Sequence, residues 1–239
     1  MISIVMPAHN EAGYLESAVK TVVAGLRERG QRFEVIIAEN GSSDATWAEL
    51  NDLRAVFREV SAVRLPTADY GSALRRGFLA AAGDIIVNFD VDFVDLAFVD
   101  EALERFQDSG VALVVGSKRA PGALDRRGLG RRAVTTVYSL LLRYGFGLHV
   151  SDTHGIKAMR REAIAPLVAY CQFGQDVFDT ELVLRAERAG LRVVETPVTV
   201  RELRPARTPI WTRIPRSLFR LGQLRLRLWR EAEGPDRGG

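Results

Sequence analysis

Apolar positions in the first half of the chain alternate between two periods. Short runs at 2–6, 33–38, 60–65, 85–89 and 111–117 are rich in β-branched residues, and they predict buried strands. Between them, Leu15, Ala18, Val19, Val22, Val23 and Leu26 recur at helical spacing over 12–29, and Gly30 stops that helix. Further helices are expected over 45–57, capped by Ser43 or Asp44, over 70–82 and over 98–108. Repetition of strand and helix at this period predicts an α/β fold, a mostly parallel central sheet with helices on both faces.

The second half is less regular. Val134, Val137, Leu140 and Leu141 share one stripe of an expected helix at 131–144. A loop from 151 leads into a strand at 156–159, and a helix at 178–189 carries Asp179 and Glu181 in its first turn. A strand at 192–200 contains Pro197, which points to a sheet edge. Ile214, Leu218, Leu221, Leu228 and Trp229 lie near one stripe of a basic amphipathic helix at 210–230. The expected organisation is a catalytic-type domain at 1–209, that helix at 210–230, and a tail at 231–239.

The chemistry concentrates at Asn88-Phe89-Asp90-Val91-Asp92. Strand alternation would turn Asp90 and Asp92 to the same side, two hard oxygen ligands able to share Mg²⁺ or Mn²⁺. A solvated strand end explains two acids equally well in isolation. Location decides the balance, because open α/β sheets bind ligands at the carboxyl ends of their strands. Residues 7–11, 39–44, 90–92 and 117–119 all stand at such ends.

Charge sharpens the picture. The segments 117–143 and 201–230 hold sixteen of the thirty-three Lys and Arg residues but only two of the thirty acids. Basic residues sorted in this way face an anionic partner: phosphates, an anionic membrane surface, or nucleic acid. The segments lack the interleaved surface aromatics that stack bases, which argues against nucleic acid. Cys171 is alone, so no disulfide framework or cysteine zinc site is expected. The first residues run straight into a strand, without a signal-peptide pattern, and no apolar run is long enough to cross a bilayer. A cytoplasmic protein, peripheral at the cytosolic face of a membrane, is the expectation.

In order along the chain stand Val5-Met6-Pro7-Ala8-His9-Asn10-Glu11, Glu39-Asn40-Gly41-Ser42-Ser43-Asp44 and Gly71-Ser72-Ala73-Leu74-Arg75-Arg76-Gly77. Ala82-Gly83-Asp84, Asp90-Val91-Asp92, Gly116-Ser117-Lys118-Arg119, Asp152-Thr153-His154-Gly155-Ile156-Lys157 and Phe178-Asp179-Thr180-Glu181-Leu182 follow. This ordered set resembles glycosyltransferase family 2, and within it the polyprenyl-phosphate (dolichol-phosphate-type) sugar transferases. The resemblance implies the Rossmann-like GT-A fold and a metal-dependent, inverting transfer of a hexose, mannose or glucose. The donor would be a GDP- or UDP-hexose and the acceptor a polyprenyl phosphate.

By the same resemblance, Pro7, Ala8, Asn10 and Glu11 pack on the donor nucleoside, and Glu39 with Asn40 bonds its base or ribose. Gly71 and Arg76 are also expected on the donor side. Asp90 and Asp92 would hold the ion. The family usually shows Asp-Asp where Glu39-Asn40 stands, and its polyprenyl-phosphate members often place a third ligand, Gln, where this chain has Val94. Lys118 and Arg131 match the grip on an acceptor phosphate, with Arg132 and Thr135 as neighbours. Arg201, Arg204 and Arg207 would close over the donor diphosphate. An acceptor hydroxyl would instead need a carboxylate base, for which Asp179 and Glu181 are the candidates. The rival readings are a family-2 enzyme for a glycan or small hydroxyl acceptor, and a non-catalytic nucleotide-sugar-binding protein.

Overall fold

A computed structural model of the chain describes residues 1–125, 129–174, 177–200 and 210–233. Arg201, Arg204, Arg207 and the tail from 234 lie outside the described residues, as do the side chains of Arg131 and Ile214.

The strands are β1 (Ile2–Ala8), β2 (Phe33–Asn40), β3 (Val60–Leu65), β4 (Ile85–Asn88), β5 (Val111–Ser117), β6 (Leu124–Asp125), β7 (Lys157–Arg160), β8 (Arg192–Pro197) and β9 (Thr199–Val200). The helices are α1 (Leu15–Glu28), α2 (Thr46–Val56), α3 (Tyr70–Ala80), α4 (Leu96–Arg105), α5 (Leu129–Phe146), α6 (Arg161–Tyr170), α7 (Phe178–Arg188) and α8 (Ile210–Glu233). Seven strands form one sheet in the order β3-β2-β1-β4-β7-β5-β8. Every pairing in it is parallel except those of β7, which runs antiparallel between β4 and β5. The sheet is therefore mostly parallel, as the alternation predicts.

Residue-by-residue alternation builds both cores. Ile4, Met6 and Ala8 of β1 join one apolar cluster, with α1, α2 and α4, while Val5 joins the other, with α3, α5, α6, α7 and α8. Both faces of the sheet are thus covered. The chain leaves β1 outward through β2 and β3, then returns to place β4 on the other side of β1. That reversal opens a crevice at the carboxyl ends of β1 and β4, the usual ligand position in such sheets.

Several expectations are corrected. Helix α6 was not anticipated; Pro166 inside it and its short length obscure the period. The segment 192–200 divides after Pro197: β8 ends at the sheet edge, and β9 leaves to pair with β6 in a separate two-stranded sheet. Helix α2 takes Ala45 at its cap position, without a side-chain bond from it, and Asp44 accepts the Thr46 amide at 3.0 Å.

The last helix is docked, with part of its apolar surface turned outward. Leu221, Leu224 and Leu228 are buried in the second core. Leu218, Phe219, Leu226 and Trp229 are exposed, so Leu218 and Trp229 do not share the inward stripe expected of them. Glu231 ties the helix down by accepting from Arg185 at 2.9 Å and from Arg227 at 2.8 Å. Its bond to Arg185, then that to Arg227, holds the Glu231 carboxyl down at about 2. No helix among the described residues is long and apolar enough to cross a membrane.

Candidate active site

The two loops on the donor side of the crevice are laced to each other. Asn10, in the left-handed region at φ 55°, donates its amide to Ser42 Oγ at 3.0 Å and accepts the Ser43 amide on Oδ1 at 2.8 Å. The Glu11 amide donates to Thr46 Oγ1 at 2.7 Å, and Pro7 and Ala8 are buried at the end of β1. His9 Nδ1 donates to the Asn40 carbonyl at 2.8 Å. These bonds fix the shape of the wall without a ligand, a preorganised arrangement.

Glu39 and Asn40 help build this wall. Glu39 is fully buried; its Oε1 accepts the Ser42 amide at 2.6 Å and its Oε2 accepts from Arg64 Nε at 3.1 Å. The Arg64 guanidinium in turn lies 4.2 Å over the Trp47 ring. Asn40 Oδ1 accepts the Asp69 amide at 2.6 Å, and Asp69 caps α3 by accepting from the Ser72 amide. Gly71 is demanded by packing: a Cβ there would stand 2.8 Å from Gly174 Cα and from Phe178 Cβ. Arg76 is exposed and donates to the Arg64 carbonyl at 3.2 Å.

The carboxylate pair stands across the crevice, and its geometry differs from the expected one. The strand ends at Asn88; Asp90 through Phe93 form a tight turn in which Phe93 donates its amide to the Asp90 carbonyl at 2.9 Å. Strand alternation therefore does not orient the pair. Val91 is buried, Phe93 and Val94 pack on the first core, and Asp95 caps α4. Val94 thus supplies no oxygen where a third ligand was considered.

Asp90 and Asp92 are half-buried. Burial, then the charges of Asp92 and Asp179, push the Asp90 carboxyl up to about 6, against the pull of Lys157 and Lys118. A cation beside Asp90 would offset the repulsion from Asp92 and Asp179. Among the described residues no group of three or more Asp, Glu, His or Cys is placed to hold a metal ion. Two carboxylates nevertheless suit a hard divalent ion that completes its shell with substrate phosphates and water, as Mg²⁺ does. The donor set fits.

Asp179 and Glu181 share the first turn of α7 but have different surroundings. Lys157 Nζ donates to Asp179 Oδ1 at 2.7 Å and to the Gly155 carbonyl at 2.7 Å, with the lysine 1% exposed. Glu181 is fully buried and accepts the Gln172 and Phe173 amides at 3.0 Å and Arg185 Nε at 2.9 Å. Those bonds engage both its oxygens in holding the 172–174 loop and α7 together, a structural use that leaves it poorly suited to act as a base.

Lys118 connects the acids to the basic surface. Its Nζ is 3.8 Å from Asp152 Oδ2, a buried oxygen with no hydrogen-bond partner among the described residues. Burial opposes ionisation of Asp152, but Lys118 and then His154 hold its carboxyl below the usual range. The other side of Lys118 lines a pocket of about 290 Å³ with Arg119, Ala120, Ala123, Arg132, Thr135 and Thr136. Arg119 is positioned there by a 2.8 Å bond to Thr136 Oγ1. Arg131 belongs to the adjoining turn of α5. His154 is held by its neighbours: its amide donates to Asp152 Oδ1 at 3.0 Å and its ring meets Tyr138 edge-on at 5.3 Å. Cys171 is buried, and burial raises its thiol far above the ordinary range, which makes it inert.

Residues 3–167 match the family profile of Glycosyl transferase family 2. The chain belongs to this family. It is 36% identical over 208 residues to the glycosyltransferase AglD of Haloferax volcanii, an alignment that takes in 82% of this chain and 32% of that protein. The chain thus spans about a third of the length of that relative. It is 24% identical over 225 residues to the dolichyl-phosphate beta-glucosyltransferase of Saccharomyces cerevisiae, covering 84% of this chain and 67% of that one. Among solved structures, it superposes with a TM-score of 0.62 and 25% identity on glucosyl-3-phosphoglycerate synthase from Mycobacterium tuberculosis in complex with Mn²⁺, UDP-glucose and phosphoglyceric acid. That match covers 100% of this chain and 82% of the other. The GT-A fold expected from the family is the fold observed.

Sequence reasoning quoted Lys157 and Arg119 in their motifs without giving either a role of its own, and passed over Arg64. Lys157 carried a signal: a lysine between Ile156 and Ala158 in an apolar strand must be buried, and buried lysines are paired. Arg64 offered none, since its value depends on how Glu39 turns.

Proposed function

We propose that this family-2 glycosyltransferase moves a hexosyl unit from a nucleotide diphosphate sugar to a polyprenyl phosphate, with inversion at the anomeric carbon. One observation carries the acceptor assignment. Among the described residues, Lys118 lines a pocket whose other charged walls are Arg119 and Arg132, with no acid in that lining, and it stands close enough to affect Asp90. A phosphate seated there would be adjacent to the carboxylate turn.

In this reading the donor nucleoside lies against Pro7–Glu11 and the Glu39-Asn40 wall. A divalent cation, Mg²⁺ or Mn²⁺, held by Asp90 and Asp92 would supply the charge that stabilises the departing diphosphate. Lys118, Arg131 and Arg132 neutralise and aim the acceptor phosphate. Its oxygen forms the new bond to the anomeric carbon as the bond to the nucleoside diphosphate breaks and the electron pair leaves with that group. The attacking oxygen arrives ionised, so no proton has to move, and positioning supplies most of the acceleration. Arg204 and Arg207 remain candidates to cover the diphosphate. The yeast relative's name supports a lipid-phosphate acceptor, and the mycobacterial complex supports a Mn²⁺-bound nucleotide sugar.

The outward residues Leu218, Phe219, Leu226 and Trp229 of α8, flanked by Arg216, Arg220, Arg225 and Arg230, fit an anionic membrane surface. Contact there, at the cytosolic face, would bring the pocket to its lipid. The second reading, an acceptor hydroxyl, is favoured only by the nearness of Asp179 to Asp90. Assay of transfer to a short-chain prenyl phosphate against hydroxyl acceptors separates the two.

A further inference from the structure

Lys157 has no part in the donor or acceptor contacts above, yet it is one of the largest fully buried side chains in the protein. It opens β7 beside Asn88 of β4 and Val115 of β5, under the carboxylate turn. A buried ammonium is costly unless paired and hydrogen-bonded. Here the fold supplies both partners. The Gly155 carbonyl is fixed because Gly155 packs directly on Gly116, where a Cβ would overlap the Gly116 carbonyl oxygen, and Gly116 donates its amide to the Ile156 carbonyl at 2.8 Å. Asp179 is fixed by the first turn of α7 and is 5% exposed.

The consequence concerns Asp179. Its bond to Lys157 holds it beside Asn88, two residues before Asp90, so it stands next to the carboxylate turn, as a carboxylate that could draw a proton from an acceptor hydroxyl. An unpaired carboxylate in that place would also repel an incoming phosphate. The Lys157 bond engages Oδ1 and offsets the charge. We propose that Lys157 is the specificity-determining residue that fits this site to an acceptor arriving as an anion. It acts as a positioning residue, through Asp179, and touches neither donor nor acceptor. The inference rests on the phosphate-acceptor reading and adds to it the residue that enforces the choice.

The test compares wild type, Lys157→Met, Lys157→Arg and the double variant Lys157→Met/Asp179→Asn. Each is assayed with a nucleotide sugar and Mn²⁺ for transfer to a short-chain prenyl phosphate and for transfer to water. In Lys157→Met, kcat for the phosphate acceptor should fall at least tenfold at little-changed donor KM, and the ratio of hydrolysis to transfer should rise at least tenfold. Lys157→Arg, which keeps the charge, should return the ratio to within threefold of wild type. The double variant replaces the pair by neutral groups, a change that buried pairs tolerate better than loss of one partner. It should therefore fold even where Lys157→Met does not, with phosphate transfer within about tenfold of wild type. A folded double variant with an unchanged ratio and transfer a hundredfold down would overturn the role of Lys157 while leaving the acceptor assignment intact. Wild-type transfer to hydroxyls and none to the prenyl phosphate would overturn both.

Discussion

Phe93 donates its amide to the carbonyl of Asp90 at 2.9 Å, closing the turn that carries both acids of the site. With Val91 buried in between and Phe93 packed on the core, the turn is anchored at both ends. The pair is therefore presented by a rigid element at the crevice where the sheet reverses direction, which is what a shared cation requires.

Asp92→Asn should leave the fold intact, since the side chain is half-buried on a turn held by backbone bonds. Removing one of two ligands should cost several kcal/mol of leaving-group stabilisation, about a hundredfold or more in kcat. Turnover measured across a Mn²⁺ titration checks this. Full activity of the variant, with or without metal, would count against the site.

Metal affinity should depend on pH through Asp90. With its carboxyl at about 6 in the metal-free protein, a cation displaces a proton below that pH. Apparent Mn²⁺ affinity should be flat above pH 6 and fall by about tenfold per unit beneath it. The metal-free fold follows the opposite trend. Between the ordinary carboxylate range and pH 6 the folded state holds a proton that the unfolded chain has released, so stability should decline as pH rises across that window, by up to about 3 kcal/mol. Calorimetric Mn²⁺ titrations and urea melts of the metal-free protein at pH 4 to 7 read both slopes.

Arg132→Ala should separate acceptor from donor. Arg132 lines the basic pocket, and its loss should raise the KM for the lipid phosphate about tenfold or more while leaving donor KM within threefold. Equal increases for both substrates would place the pocket on the donor side.

How the site could be read from sequence follows from where its information is stored. Asp90, Asp92 and Lys118 stand out as candidates because each follows a buried strand, and strand ends in an α/β sheet are the ligand edge. The orientation of the acids was not legible, since a turn closed by Phe93 reads like a continued strand. Glu181 reads in sequence as a possible base because the use of its oxygens by Gln172, Phe173 and Arg185 depends on a loop packed eight and nine residues before it. Lys157 was quoted in its motif without a role, because its partner lies on another element, twenty-two residues away. In the fold, the five regular β-branched runs all appear as strands, whereas α6, short and interrupted by Pro166, left no clear period. The last helix shows two apolar faces, and a stripe drawn on sequence merges the inward Leu221 and Leu228 with the outward Leu218 and Trp229.

Phe219→Ser combined with Trp229→Ser should weaken binding to vesicles containing anionic lipid without lowering the melting temperature, since both side chains are exposed. Co-sedimentation with anionic and neutral vesicles measures this. Loss of roughly 2 to 3 kcal/mol for each large side chain withdrawn from the interface sets the upper scale. Unchanged sedimentation would remove the membrane contact from the account.

The most direct measurement is a transfer assay of the purified protein with Mn²⁺, a panel of UDP- and GDP-hexoses, and three acceptors: a short-chain prenyl phosphate, the corresponding prenyl alcohol and a simple sugar. The expected result is metal-dependent formation of a glycosyl phosphate lipid with one of the donors, and no product with the alcohol or the sugar. Glycosylation of the alcohol or the sugar, with the prenyl phosphate inert, would contradict the assignment.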